Sequence, residues 1–262
     1  MHASGDSSAA VNEARWRFTT IAHASHRVLG PLAAETVARA LARAAELCKA
    51  SGGLVLDIGC GKGEVLLRAL QHMGGQALGV EPNPAFAAAA RERARELGLA
   101  ARVTIHECRW QDLPAPPTGA ALAICTGSVH AFGSFGDALK ALRAIVVPRG
   151  LALVAPGYWK REPAAEYLTA LGSTRDEQDD WDGTLARAVA AGWRVRHAHA
   201  STRGEWEDYE DAYAANMNAW CVAHADDPEA LGFAERISRW SALVERHGLD
   251  TMGYALLLLQ RD

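Results

Sequence analysis

Short apolar blocks punctuate this chain. Residues 54–56, 77–80, 103–105, 120–124 and 151–154 are runs of mostly Val, Leu, Ile and Ala that stop at glycine, proline or polar residues. Runs of that length without alternation predict strands buried on both faces. Between them, apolar positions recur every three or four residues. Val37, Ala40, Leu41, Ala44 and Leu47 predict a helix from Pro31 to about Lys49, and the same period predicts helices over 65–73, 84–97 and 135–146. Pro148-Arg149-Gly150 reads as a turn before the fifth strand. A short helical segment is expected over 14–29, behind a disordered tail at 1–12. Past residue 156 the pattern loosens into helices over 163–171 and 184–191 and a strand over 193–199. Two helices rich in Trp, Tyr and acids follow within 205–247, then a closing strand at 252–259. The acidic run from Glu205 to Asp211 reads as a solvated helix face.

Strands alternating with helices at this spacing imply βαβ units and a parallel sheet. Right-handed crossovers then collect the loops after the strands on one edge, where ligands bind. The expected fold is α/β: a Rossmann-like, seven-stranded, mostly parallel sheet with helices on both faces and a helical insertion before the last strand. Residues 1–30 would be a tail and helical cap, 31–200 the core, 201–250 a helical insertion or lid, and 251–262 the closing strand of the core.

Composition narrows the partners. The 262 residues carry 49% apolar side chains, 22% charged side chains and a formal net charge of -4. No basic stripe offers itself to nucleic acid or an anionic membrane. No apolar run approaches the roughly 20 residues of a membrane helix. The opening stretch, MHASGDSSAAVNEARW, lacks the charged start and apolar centre of a secretory signal. Five cysteines, an odd number without a CxxC pair, are no disulfide framework. These features together predict a cytoplasmic protein acting on a small molecule, with no nucleic-acid or membrane partner.

The most informative stretch is Asp57-Ile58-Gly59-Cys60-Gly61-Lys62-Gly63. It follows a strand and opens a helix, and its glycines let the backbone turn sharply and approach a ligand. Glu81 stands at the tip of the second strand, where an acid accepts hydrogen bonds from ribose hydroxyls; a solvated acid at a helix start is the plainer account. Together the two features favour an adenosine-containing ligand. A dinucleotide fingerprint would need glycine at 64, where this chain has Glu64. A carboxylate there repels a pyrophosphate and tolerates a cation.

On these residues the chain resembles the class I S-adenosylmethionine-dependent methyltransferases over roughly 32–157. Asp57, Gly59, Gly61 and Gly63, with Cys60 between them, match the family's first motif, which cradles the methionine part of the cofactor. Gly79-Val80-Glu81-Pro82-Asn83 matches the second, whose acid holds the ribose. Arg149-Gly150-Leu151 resembles the turn before the fifth strand. The span 150–171 is similar to a bacterial, largely uncharacterised subgroup with small-molecule acceptors. The resemblance implies S-adenosyl-L-methionine as cofactor and places Cys125, Thr126 and Gly127 facing its sulfonium. The third motif departs from the pattern: Cys108-Arg109-Trp110 puts Arg109 where an acid usually meets adenine, with Asp112 as the fallback acid. Trp110 then either stacks beside adenine or packs under the loop.

On the acceptor side, His130 is the candidate catalytic base, since histidine titrates near neutrality; holding the loop by hydrogen bonding is the alternative. His23 and His26 share a helical face. His26, Tyr158, Trp159, Trp206 and Tyr209 are candidate substrate contacts, with plain helix packing the other account of the aromatics. Tyr213 falls on the same face as Tyr209. No third ligand accompanies His23 and His26, so no metal is expected; a soft-metal site from Cys60, Cys108 and Cys125 is a remote alternative. Two other functions stay open: a nicotinamide-dependent oxidoreductase, and a non-catalytic S-adenosylmethionine-binding protein.

Overall fold

In a computed structural model that describes residues 16–48 and 52–262, the apolar blocks become the centre of one sheet. The parallel strands are β1 (Leu54–Ile58), β2 (Gln76–Val80), β3 (Val103–His106), β4 (Ala120–Thr126) and β5 (Val146–Ala155). Side chains alternate across each strand. Val55, Leu122 and Leu153 face one helical layer, formed by α2 (Ala34–Leu47), α3 (Glu64–Met73) and α4 (Pro84–Glu96). Leu56, Ala123 and Val154 face the other, formed by α5 (Phe135–Ile145) and α7 (Trp181–Ala190). Cover on both faces is what makes unbroken apolar strands tolerable in water.

The strand order is β3-β2-β1-β4-β5-β8-β6, where β6 is Gly157–Trp159, with β7 (Trp193–Ala200) on β8 (Met252–Arg261). The order reverses between β1 and β4, so a crevice forms outside their carboxyl ends. The seven-stranded expectation gains an eighth, β6 (Gly157–Trp159). It keeps the antiparallel register of β5 on β8: Val154 lies opposite Leu257 and Gly157 opposite Tyr254. Pro156 lacks the N–H that would continue the ladder, while its carbonyl accepts from Ala255 N–H at 2.9 Å. The extra strand therefore continues the run of β5 along β8 past a proline. The expected turn at 148–150 is a bulge within β5: Arg149 sits at φ 63° and pairing resumes with Leu151 opposite Leu122.

The N-terminal helix, α1, covers described residues 16–22 only, and 23–33 runs as turns and irregular chain rather than as helix to 29. The tail at 1–12 and Lys49, the expected end of α2, lie outside the described residues. Phe18 and Ala22 of α1 share a small core with Met217 of α8 (Arg203–Ala223) and Ile237 of α9 (Ala230–Leu243). A short α6 (Ala165–Leu171) follows β6, and a π-turn and α10 (Leu249–Thr251) lead into β8. Among the described residues no helix is long and apolar enough to cross a membrane.

Glu205 departs from the solvated face expected of its acidic run. Its carboxylate is buried and accepts from Ala33 N–H and Thr36 Oγ1 at 2.8 Å, from Thr202 N–H at 2.9 Å and from His199 Nε2 at 2.7 Å. It thereby caps α2 from 172 residues away, which is why α2 begins at Ala34 and not at Pro31. Burial alone would raise the carboxyl, but these bonds hold it down to about 2 against an ordinary 4.5. A depressed carboxylate lends stability that is full above its ordinary value and is lost as pH falls from there toward 2. Glu205→Ala is expected to cost about 2–4 kcal/mol in urea unfolding at pH 7, and the difference from wild type should shrink below pH 4.5.

Candidate functional site

The site grows from the loop between β1 and α3. Gly59 and Cys60 N–H donate to Val80 carbonyl at 2.8 and 3.1 Å, which folds the loop back over β2. Gly59 has φ 72° and lies beneath Ser128; a Cβ there would stand 2.7 Å from Ser128 Oγ. Only glycine lets the loop after β4 close on the loop after β1. Ser128 secures that closure by donating to Ile58 carbonyl, and its hydroxyl lies 3.4 Å from Cys125 Sγ. Cys60 packs inward against Gly79 and Cys125 is fully buried. Among the described residues Cys60, Cys108 and Cys125 form no metal-ligating group.

Two buried acids face this loop. Glu81 accepts from Gly61 N–H and from Asn83 N–H, each at 2.8 Å, so it ties the loops after β1 and β2 together. Burial raises its pKa, and the two bonds offset part of that. Asp57 is 1% exposed, and its Oδ1 is buried without a hydrogen-bond partner. Burial, and secondarily the charge of Glu81, push its carboxyl well above the ordinary range. Among the described residues neither acid has an ion-pair partner; the nearby cation, Lys62, is turned the other way. An orphaned buried carboxylate is costly, and a cationic ligand relieves that cost.

Lys62 Nζ donates to the carbonyls of His23, Ala24 and His26 at 2.6, 2.9 and 3.1 Å. It holds the carbonyl-rich end of α1, where a cation is favoured. Asn83 uses Oδ1 to cap α4 and Nδ2 to bind Thr20 Oγ1 at 2.9 Å. The segment past α1 therefore lies on the glycine loop. A Cβ on Gly61 would meet Leu29 Cδ1 at 2.5 Å, and one on Gly127 would meet Leu29 carbonyl at 3.4 Å. His23 Nδ1 bonds Thr19 carbonyl at 2.8 Å and Nε2 bonds Tyr209 hydroxyl at 2.9 Å; burial lowers its pKa to about 4. His26 Nε2 donates to Tyr209 carbonyl at 3.0 Å, leaving Nδ1 buried and unpartnered. Tyr209 and the two histidines thus belong to the cover over the loop.

Beyond the ends of β4 and β5 a cleft of about 590 Å³ opens, lined by His130, Gly127, Pro156, Gln178, Arg187 and Tyr254 among others. His130 sits on a single 3-10 turn at its rim. Tyr158 and Trp159 do not line the cleft. Tyr158 packs on Gly253 and Trp181, and the Trp159 indole N–H donates to Arg175 carbonyl at 2.9 Å. Trp206 is buried in α8 with its indole nitrogen unpartnered. Trp110 is half-buried 5.8 Å from the Phe132 ring, whereas Arg109 and Asp112 are exposed. Thr126 ends β4, and Pro82 follows Glu81 at the half-buried start of the next loop.

Lys62, Asn83, Ser128 and Tyr254 escaped the sequence reading as site residues. The first two stood inside recognised motifs with side chains that looked free. Tyr254 lay in a leucine-rich closing strand, where a lone tyrosine was the only signal. Its hydroxyl reaches 3.2 Å from where a Cβ on Gly127 would be, at the junction of cleft and cover.

Comparison with known proteins agrees with this geometry. Residues 55–150 match the family described as a methyltransferase domain. The uncharacterized protein YjhP of Escherichia coli (strain K12) is 29% identical over 216 residues, covering 80% of this chain and 84% of YjhP. Its X-ray structure superposes with a TM-score of 0.83 at 26% identity, over 94% of this chain and all, 100%, of that one. Two S-adenosyl-L-homocysteine complexes share the fold over 94% of this chain and 98% of theirs. They are methyltransferases of Geobacter sulfurreducens, at TM-score 0.84 and 24% identity, and of Thiobacillus denitrificans, at 0.83 and 22%.

Proposed function

We propose that this chain, whose residues 55–150 match a methyltransferase-domain family, is a class I S-adenosylmethionine-dependent methyltransferase that methylates a small-molecule acceptor and leaves S-adenosylhomocysteine. The observation that carries the reading is the buried acid pair Asp57 and Glu81, neither ion-paired among the described residues and with Asp57 Oδ1 lacking any hydrogen-bond partner. S-adenosylmethionine supplies a methyl group on a sulfonium and bears an ammonium at its amino-acid end. Asp57 Oδ1 is the acceptor for the ammonium, and the free lone pairs of Glu81 take the ribose hydroxyls. Gly59 and Gly61 keep the loop backbone bare for close approach. Trp110 offers an aromatic face beside the adenine position.

The acceptor's place is the cleft past β4, small enough to hold one small molecule. Its walls orient the nucleophile toward Gly127, and positioning is the main contribution such a transfer needs. His130 at the rim takes the proton of an acceptor that must lose one. A nicotinamide dinucleotide would bring its pyrophosphate against Asp57, Glu81 and Glu64. Glu64 is itself neutralised by Arg68 at 2.6 Å, so the repulsion of an anion rests on Asp57 and Glu81.

Calorimetric titration with S-adenosylhomocysteine, with NADH in parallel, tests the reading. Micromolar binding of the first and none of the second is expected. Binding of NADH alone, or of neither, would overturn it.

A further inference from the structure

The helical cover holds a cavity of its own. About 510 Å³ opens between α1, α6, α8 and α9, separate from the cleft at His130. Its walls are aromatic and apolar: Phe18, Tyr213, Trp240 and Leu243. Among the described residues that line it, the charged groups are Arg236 and Arg239. In a chain of net charge -4, two guanidinium groups beside aromatic rings, one of them lying over Phe18, are a local reversal of sign.

Only an exposed i,i+4 ion pair on Arg239 offsets this charge among the described residues. The Arg236 guanidinium lies 3.9 Å from the Phe18 ring centroid, and among the described residues it makes no ion pair. Arg239 reaches only Glu235, one turn back on an exposed helix face, at 3.7 Å. The acid close to the cavity, Glu210, accepts from Trp240 Nε1 at 2.7 Å and fixes the indole instead. Phe18 is held edge-on by Phe233 at 5.3 Å, so the aromatic wall is braced from behind.

We propose that this cavity is a second ligand site, taking a small organic anion with a flat apolar or aromatic body. Indole and phenol rings receive such a body by stacking. A guanidinium fork already lying on a ring binds carboxylate oxygens in pairs, which an ammonium does not do. The volume suits one small molecule and falls within the range of ordinary ligand pockets, roughly 300–1,000 Å³. The site stands apart from the proposed acceptor cleft, with which it shares none of its lining residues.

The test uses 2-naphthoate on the whole protein, read by calorimetry and by tryptophan fluorescence, with 2-naphthalenemethanol as the uncharged control. Saturable naphthoate binding is expected, with the alcohol at least tenfold weaker. Arg236→Gln is expected to weaken naphthoate tenfold or more while leaving S-adenosylhomocysteine affinity and the alcohol unchanged. Arg239→Gln, at a side chain 73% exposed, is a substitution the fold tolerates, and should weaken naphthoate severalfold. Its effect decides the matter if Arg236→Gln fails to fold. Absence of saturable naphthoate binding, equal binding of acid and alcohol, or wild-type affinity in the folded variants would each overturn the proposal.

Discussion

Asp57→Asn is expected to make the ligand-free protein more stable and to cut its affinity for S-adenosylhomocysteine about ten- to a hundredfold. Both effects come from one oxygen. Asp57 Oδ1 is buried with no partner, next to a second buried acid. An uncompensated buried charge destabilises the fold, and an amide of the same shape removes it. The gain should be about 1–3 kcal/mol, a rise of several degrees in thermal midpoint for a chain of this size. The ligand's ammonium meanwhile loses a charged acceptor, a loss of about 1.5–3 kcal/mol.

The pH dependence has a definite sign. A carboxyl whose folded value is raised binds more protons in the folded state than in the unfolded one. Its cost is therefore present at neutral pH and fades as pH falls through the raised value toward the ordinary 3.8. Thermal melts at several pH values should show this slope in the wild type and not in Asp57→Asn. The slope runs opposite to that of Glu205, so the two variants separate the two groups. A lower midpoint in Asp57→Asn, or unchanged affinity, would mean that the carboxylate has a protein partner and no ligand role.

Lys62→Met is expected to speed release of S-adenosylhomocysteine tenfold or more, with exchange of backbone amides over residues 16–30 rising in parallel. Methionine keeps the aliphatic length of lysine and loses the three bonds to His23, Ala24 and His26. Charged hydrogen bonds of this kind contribute about 1.5–3 kcal/mol each at most, and the sum is reduced because they share one ammonium. Without them the segment carrying Leu29 is held over the glycine loop by Asn83 and the small α1 core alone. Stopped-flow displacement gives the release rate and hydrogen exchange gives the opening. Equal rates on both measures would assign Lys62 to surface solvation only.

The strands at 54–58, 76–80, 103–106 and 120–126 could be read from the chain because a strand buried on both faces must be apolar throughout. Glu81 could be read because an acid ending such a strand contradicts its surroundings. Aromatic residues were harder to place: Tyr158, Trp159 and Tyr209 suit a ligand wall and a packed core equally well by composition. Burial settles their places, and the hydrogen bonds of Trp159 to Arg175 and of Tyr209 to His23 and His26 go to the protein itself. The eighth strand hid behind Pro156, which marks a strand end in sequence yet here interrupts a register that continues past it.

What the sequence determined by itself is what local periodicity and chain order dictate: the alternating elements, the mostly parallel sheet, and the glycine loop with its two acids. These follow from which residues avoid water over spans of five to fifteen positions. Only the tertiary structure decided what covers that loop. Lys62 meets α1 across 36 to 39 residues, Glu205 caps α2 across 172, and Arg236 lies over Phe18 from the far end of the chain. Such contacts leave no periodic trace in a single sequence, because polar side chains that bind a distant backbone and ones that bind water obey the same local rules.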